Sequence, residues 1–144
     1  MSASSLAGAW RLESFVFTDD GGGTHTPLGE SPHGLVLITP DNYLSLSFMA
    51  DGRQAFAESS LLGGSADERA AAAASYVSFG GPFRVEGDEV VVEVAAAFHP
   101  NWAGSVQRRR FRLEGGTLTL MTAQAIPVDG KNLMGQAVLR RAAL

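Results

Sequence analysis

The chain has 144 residues, 45% of them hydrophobic and 18% charged, a composition that suits one globular domain and excludes a disordered one. A net charge of −4 argues against nucleic-acid binding, and the absence of cysteine excludes disulfides, thiolate metal sites and thiol catalysis. The start Met1-Ser2-Ala3-Ser4-Ser5 carries neither a basic region nor a continuous apolar segment, and no apolar run approaches the roughly 20 residues that span a bilayer. No membrane association and a cytoplasmic location are the expectations.

The 17 glycines sit largely between short apolar runs, which favours an all-β fold with many turns. Residues 9–17 (AWRLESFVF) read as a strand ended by the polar, glycine-rich stretch 18–23. After a second loop over 27–32 comes a strand at 34–38, then a tight turn at Thr39-Pro40-Asp41-Asn42. Residues 43–49 (YLSLSFM) alternate apolar with small polar side chains, the period of a half-buried strand. Ser65 and Glu68 bracket a capping box, so a short helix is predicted over 66–75, lying across the barrel as a lid or plug. From Tyr76 the chain is nearly continuous β: 77–85 and 89–97 turn at Glu86-Gly87-Asp88, and 105–113 and 117–122 turn at Glu114-Gly115-Gly116. A last strand covers about 136–141. Eight strands with hairpin connections predict a closed antiparallel barrel able to hold one small ligand. With no internal repeat or linker, residues 1–144 read as a single domain.

The segment Leu6-Ala7-Gly8-Ala9-Trp10-Arg11-Leu12 resembles the Gly-x-Trp opening of lipocalin and calycin barrels. Further matching blocks follow in order: Pro32-His33-Gly34-Leu35-Val36, Thr39 to Ser45, Tyr76-Val77-Ser78-Phe79-Gly80, and His99-Pro100-Asn101-Trp102-Ala103-Gly104 with Arg109. Together with Leu118-Thr119-Leu120 and Arg140-Arg141 they make the whole chain similar to the bacterial lipocalin-like domain family. The resemblance implies an antiparallel barrel with an inner cavity and a tryptophan, here Trp10, that closes the floor with Arg140 or Arg141 stacked on it. It implies no single activity. Members often carry histidine on the strand that reads Val92-Glu93-Val94 here, so no chemistry is carried over to that strand.

Strand parity selects the candidate polar anchor. Phe111 and Leu113 share a face with Gln107 and Arg109, while Arg108, Arg110 and Arg112 share the other and require water. Arg109 and Gln107 are therefore expected inside. Centring the hairpin near Asn101 places Glu93 opposite Arg109 as an ionic partner. That pair either closes one end of the barrel or anchors a ligand carboxylate or carbonyl, unless a bulge turns Arg109 outward. Val91, Glu93, Ala95 and Ala97 would face inward on the neighbouring strand, and the small residues among them would leave room that Phe79, Phe83, Phe111, Leu118 and Leu120 would wall, or larger side chains would fill. Trp102 either rims the mouth or caps the core from outside. His25, His33 and His99 match no common metal motif, so no metal and no cofactor is expected.

Two functions compete with a filled, oligomerising barrel. The first is binding of a small, largely apolar molecule by Arg109, Glu93, Gln107, Phe79, Phe83, Phe111 and Trp102. The second is a cofactor-free isomerase, cyclase or hydrolase working in the same cavity, with Glu93, His99 and Tyr43 as candidate catalytic groups. The expected partner is a small hydrophobic molecule, and a homodimer is compatible with the chain. Far-UV circular dichroism is expected to show dominant β signal with helix confined to roughly ten residues. A helix fraction near one third would overturn the barrel.

Overall fold

The computed structural model of the chain describes residues 3–142. A 3-10 turn at Ala3–Leu6 leads into β1 (Gly8–Thr18), followed by β2 (Thr24–His25), β3 (His33–Ile38) and β4 (Tyr43–Met49). After a long loop come α1 (Ala66–Ala74), β5 (Tyr76–Glu86), β6 (Glu89–Glu93) and β7 (Ala96–Ala97). A second 3-10 turn (Pro100–Trp102) precedes β8 (Val106–Glu114), β9 (Thr117–Thr122), β10 (Ile126–Val128) and β11 (Lys131–Arg141). Eight strands form an antiparallel ring in the order β1-β3-β4-β5-β6-β8-β9-β11, and β11 pairs back onto β1 to close it. The short strands β2, β7 and β10 are additions at its margins. This is the predicted all-β barrel with one short helix. Among the described residues, no helix is long and apolar enough to cross a membrane.

Local chemistry accounts for the elements. Ser65 Oγ accepts from the Glu68 N–H at 3.1 Å while the Glu68 carboxylate accepts from the Ser65 N–H at 2.8 Å, the reciprocal box read from the sequence. The backbone N–H groups of Ser65 and Ala57 hold the Glu68 carboxyl below its ordinary range. No residue of α1 is buried, so packing alone does not hold it. Arg53 fastens its last turn by donating to the Ala72 carbonyl (3.1 Å) and to Ser75 Oγ (3.0 Å).

Two bulges set which side chains face inward. In β1 the register with β11 shifts between Leu12 and Ser14, so Trp10 and Leu12 face the core on even positions and Phe15 and Phe17 on odd ones. The second lies between β5 and the β6–β7 segment. Phe83 pairs with Val92 but Phe79 pairs with Ala97, leaving one extra residue on the β6–β7 side. A Cβ on Gly81 would sit 2.0 Å from the Glu93 carbonyl oxygen, so this crossing requires glycine. The second bulge corrects the expected inward set: Val90, Val92 and Val94 are in the core, while Glu93 and Ala95 are exposed and Ala97 is inward only beyond the bulge. Val91 is buried as well but stands outside that core cluster, between Arg84 and Arg108 on the neighbouring strands.

One end of the ring is filled. Trp10 is fully buried, its Nε1–H donates to the Leu6 carbonyl (2.9 Å), and Leu6 itself is 1% exposed. The Arg141 guanidinium lies 4.2 Å from the indole centroid and donates to the carbonyls of Ala7 (2.9 Å) and Ser5 (3.2 Å). Of the two arginines, Arg141 is the one stacked; Arg140 points out to Glu13 (3.1 Å). Truncation of Trp10 to alanine is expected to cost about 3–5 kcal/mol of stability, measured by chemical denaturation. A loss below about 1 kcal/mol would mean that the floor does not depend on that ring.

Candidate functional site

Opposite the floor the ring is hollow. A cavity of about 530 Å³ opens there, within the roughly 300–1,000 Å³ usual for small-molecule sites. Leu28, Ala73–Ala74 of α1, Phe98, Trp102 and the 126–129 segment surround it at the mouth. Below them the wall is formed by Phe15 and Phe17 of β1, Phe48 of β4, Phe79 of β5 and Leu120 of β9. A Cβ on Gly135 would meet the Phe17 ring at 2.6 Å, so the glycine opposite Phe17 on β11 makes space for that ring.

One cation enters this apolar wall. On β8 the inward side chains are Gln107, Arg109, Phe111 and Leu113, whereas Arg108, Arg110 and Arg112 face water. The outward arginines are all paired: Arg108 with Glu86 (3.2 Å) and Glu89 (2.9 Å), Arg110 with Asp88 (3.4 Å), and Arg112 with Glu114 (3.3 Å). Arg109 is not. Its Nη1 donates to Gln107 Oε1 (3.1 Å) and to the Arg108 carbonyl (3.0 Å), and its guanidinium lies 5.2 Å from the Phe79 ring centroid. Among the described residues no carboxylate neutralises it, and Nε and Nη2 make no hydrogen bond. Burial alone pulls its pKa down to about 10, which still leaves it charged at neutral pH.

The partner expected for Arg109 is elsewhere. Val90, not Glu93, is the residue opposite it, an offset of three residues. The hairpin centred near Asn101 does not form: Val94 and Ser105 close the loop (2.9 Å), and Ala96–Ala97 swings back onto β5. Glu93 pairs with Val106 and points into solvent. Tyr43 is also outside, 52% exposed at the start of β4. Phe83 and Phe111 are buried, but they pack in the filled half of the barrel together with Leu118 rather than lining the cavity. Phe79, Trp102, Gln107 and Arg109 line it. His99 is exposed at the rim, its ring 5.4 Å from that of Trp102. His25 and His33 stand apart, each beside an aspartate: Asp19 at 3.1 Å and Asp51 at 2.9 Å.

The β1 phenylalanines, Phe48 and Leu28 do not figure among the candidates read from the sequence. Simple alternation from Trp10 turns Phe15 and Phe17 outward, and only the β1 bulge reverses them. Leu28 belongs to a segment that reads as loop, yet it is 4% exposed and lines the cavity. Aromatic residues in a strand that also holds a core anchor are the signal that was available for Phe15 and Phe17.

Residues 7–142 match the sequence pattern of the lipocalin-like domain. The chain belongs to the lipocalin-like domain family. Two crystal structures are similar to this lipocalin-like chain. A lipocalin-like protein from Bacteroides uniformis ATCC 8492 has 12% identity over 95% of this chain and 98% of its own, with a TM-score of 0.49. An uncharacterized protein from Bacteroides eggerthii DSM 20697 has 11% identity over 94% and 98%, with a TM-score of 0.44. No curated protein matches the chain.

In this lipocalin-like barrel, desolvation of the Arg109 guanidinium opposes folding. A cation whose pKa falls on folding destabilises the folded state at every pH below its folded value, here about 10. Replacing Arg109 with methionine is therefore expected to raise the stability of the protein without added ligand by about 1–2 kcal/mol at pH 7, after loss of the contact with Phe79 is subtracted. Thermal or denaturant unfolding measures it, and a clear destabilisation would show the guanidinium to be structural.

Proposed function

We propose that this lipocalin-like barrel binds a small, largely apolar molecule whose carboxylate or carbonyl oxygen is held by Arg109. The observation that carries this reading is the guanidinium itself: charged, inside an aromatic cavity, with two of its nitrogens free of acceptors among the described residues. An unpaired charge in such surroundings is costly, and an incoming anion relieves that cost. The planar fork matches a carboxylate, and Gln107 fixes the side chain through Nη1 so that Nε and Nη2 remain for the ligand. Gln107 also brings an amide that can donate to a second ligand oxygen.

Holding a ligand asks less of this site than transforming one. General acid–base chemistry needs a proton-transfer group within hydrogen-bond reach of the reacting atom. Glu93 and Tyr43 lie on the outer surface, and His99 stands at the rim. The apolar walls supply most of the contact area, and Arg109 supplies orientation.

The test compares Arg109→Met with Arg110→Met, titrating an apolar acid and its methyl ester into each. Wild type and Arg110→Met are expected to prefer the acid by roughly 1.5–3 kcal/mol, and Arg109→Met to lose that preference. Equal effects of the two substitutions, or no acid preference in the wild type, would remove Arg109 from the binding role.

A further inference from the structure

We infer that the ligand is a planar, fused-ring aromatic acid, inserted between two aromatic walls with its carboxylate on Arg109. This deepens, and rests on, the reading of Arg109 as the anchor. The observation behind it is how the rings of the cavity are arranged.

On one wall the contacts run inward from the mouth as a ladder. His99 meets Trp102 at 5.4 Å and 84°, Trp102 meets Phe79 at 5.7 Å and 87°, and Phe79 lies 5.2 Å beneath the Arg109 guanidinium. The second wall is a separate cluster, with Phe48 against Phe15 at 5.3 Å and Phe15 against Phe17 at 5.0 Å. Its main strand, β1, stands across the ring from β5 and β8, three strands away by either route. Phe15, Phe17, Phe48, Phe79 and Trp102 all border the same cavity.

An aromatic ring has a negative face and a positive edge, so it gains from edge-to-face and offset contacts that an alkyl chain cannot make. Within each wall the neighbouring rings already meet edge-on, with interplanar angles of 67–87°. Such a wall presents faces and edges in turn to a guest. A guest ring lying between the two walls meets both, and its carboxylate in the plane of the ring reaches the guanidinium at the inner end of the ladder. Arginine suits that position because it pairs with a carboxylate and stacks on an aromatic face at once. Cavities that serve flexible alkyl chains need only apolar area; the aromatic ladder ending on a cation adds a directional demand.

The experiment titrates 2-naphthoate and decanoate, acids of similar size, into the full chain by calorimetry, with the methyl ester of each. Transfer from water alone favours decanoate, which removes more methylene surface. The expected result is that naphthoate binds about 10-fold tighter than decanoate or better. Phe79→Leu and Trp102→Leu, checked for folding by circular dichroism, are expected to weaken naphthoate by about 10-fold and to leave decanoate within about twofold. Decanoate binding as tightly as naphthoate, or both variants weakening the two acids alike, would overturn the aromatic preference and leave the Arg109 anchor intact. Naphthoate and its ester binding alike would overturn the anchor, while the order of the two esters still decides the aromatic preference. Failure of all four compounds to bind would remove both readings.

Discussion

Closure of the sheet on itself is the constraint from which the other features follow. β1 pairs with β3 through its first residues and with β11 along most of its length, so a single strand supplies both sides of the seam. A flat strand cannot do this. The bulge between Leu12 and Ser14 bends and twists β1 just after Trp10 and Arg11, the residues that pair with both β3 and β11, and closure removes the free edges an open sheet would present. Eight strands fix a diameter at which side chains either fill the interior or leave room for one small guest. This chain does both, at opposite ends.

The filled end is close-packed, and the hollow end holds the cavity and the candidate site. Trp10, Leu6 and Arg141 seal the floor with a buried indole, a satisfied N–H and a stacked guanidinium, all tied to backbone carbonyls of the opening turn. Phe83, Phe111 and Leu118 pack above that seal. Towards the mouth the Phe15, Phe17 and Phe48 rings form one cluster and Phe79 with Trp102 another, and a small helix without buried residues borders the opening. A region with few buried contacts opens locally at low cost. The two ends thus differ in packing, filled at the floor and hollow at the mouth.

Arg109 and Arg141 show how one side-chain type takes opposite roles by placement. Arg141 is surrounded by carbonyl acceptors and an indole face, so its charge is satisfied by the fold. Arg109 has the face of Phe79 and two acceptors on a single nitrogen, so part of its hydrogen-bonding capacity is left for something else. Such a local departure from an otherwise consistent fold is what the proposed anchoring role of Arg109 rests on. The three outward arginines of β8, each with an acidic partner, are the contrast on the same strand.

The sequence by itself determined the class of fold, the hairpins turning at Glu86-Gly87-Asp88 and Glu114-Gly115-Gly116, the capped helix and the favoured inward face of β8. Each of these is local: alternation, turn chemistry and capping act over a few residues and are read where they stand. Phe111 and Leu113 on one face and three arginines on the other favoured one phase for β8, and it is the phase β8 adopts. What only the tertiary structure decided is the count of residues between strands that meet. One extra residue in the β6–β7 segment and one in β1 reverse the faces beyond them, so Glu93 turns to solvent while Phe15 and Phe17 turn into the cavity. A bulge leaves little trace in a local pattern, since it arises where a strand must bend to close the ring, and the period-two rule carries any single-residue error to every side chain that follows.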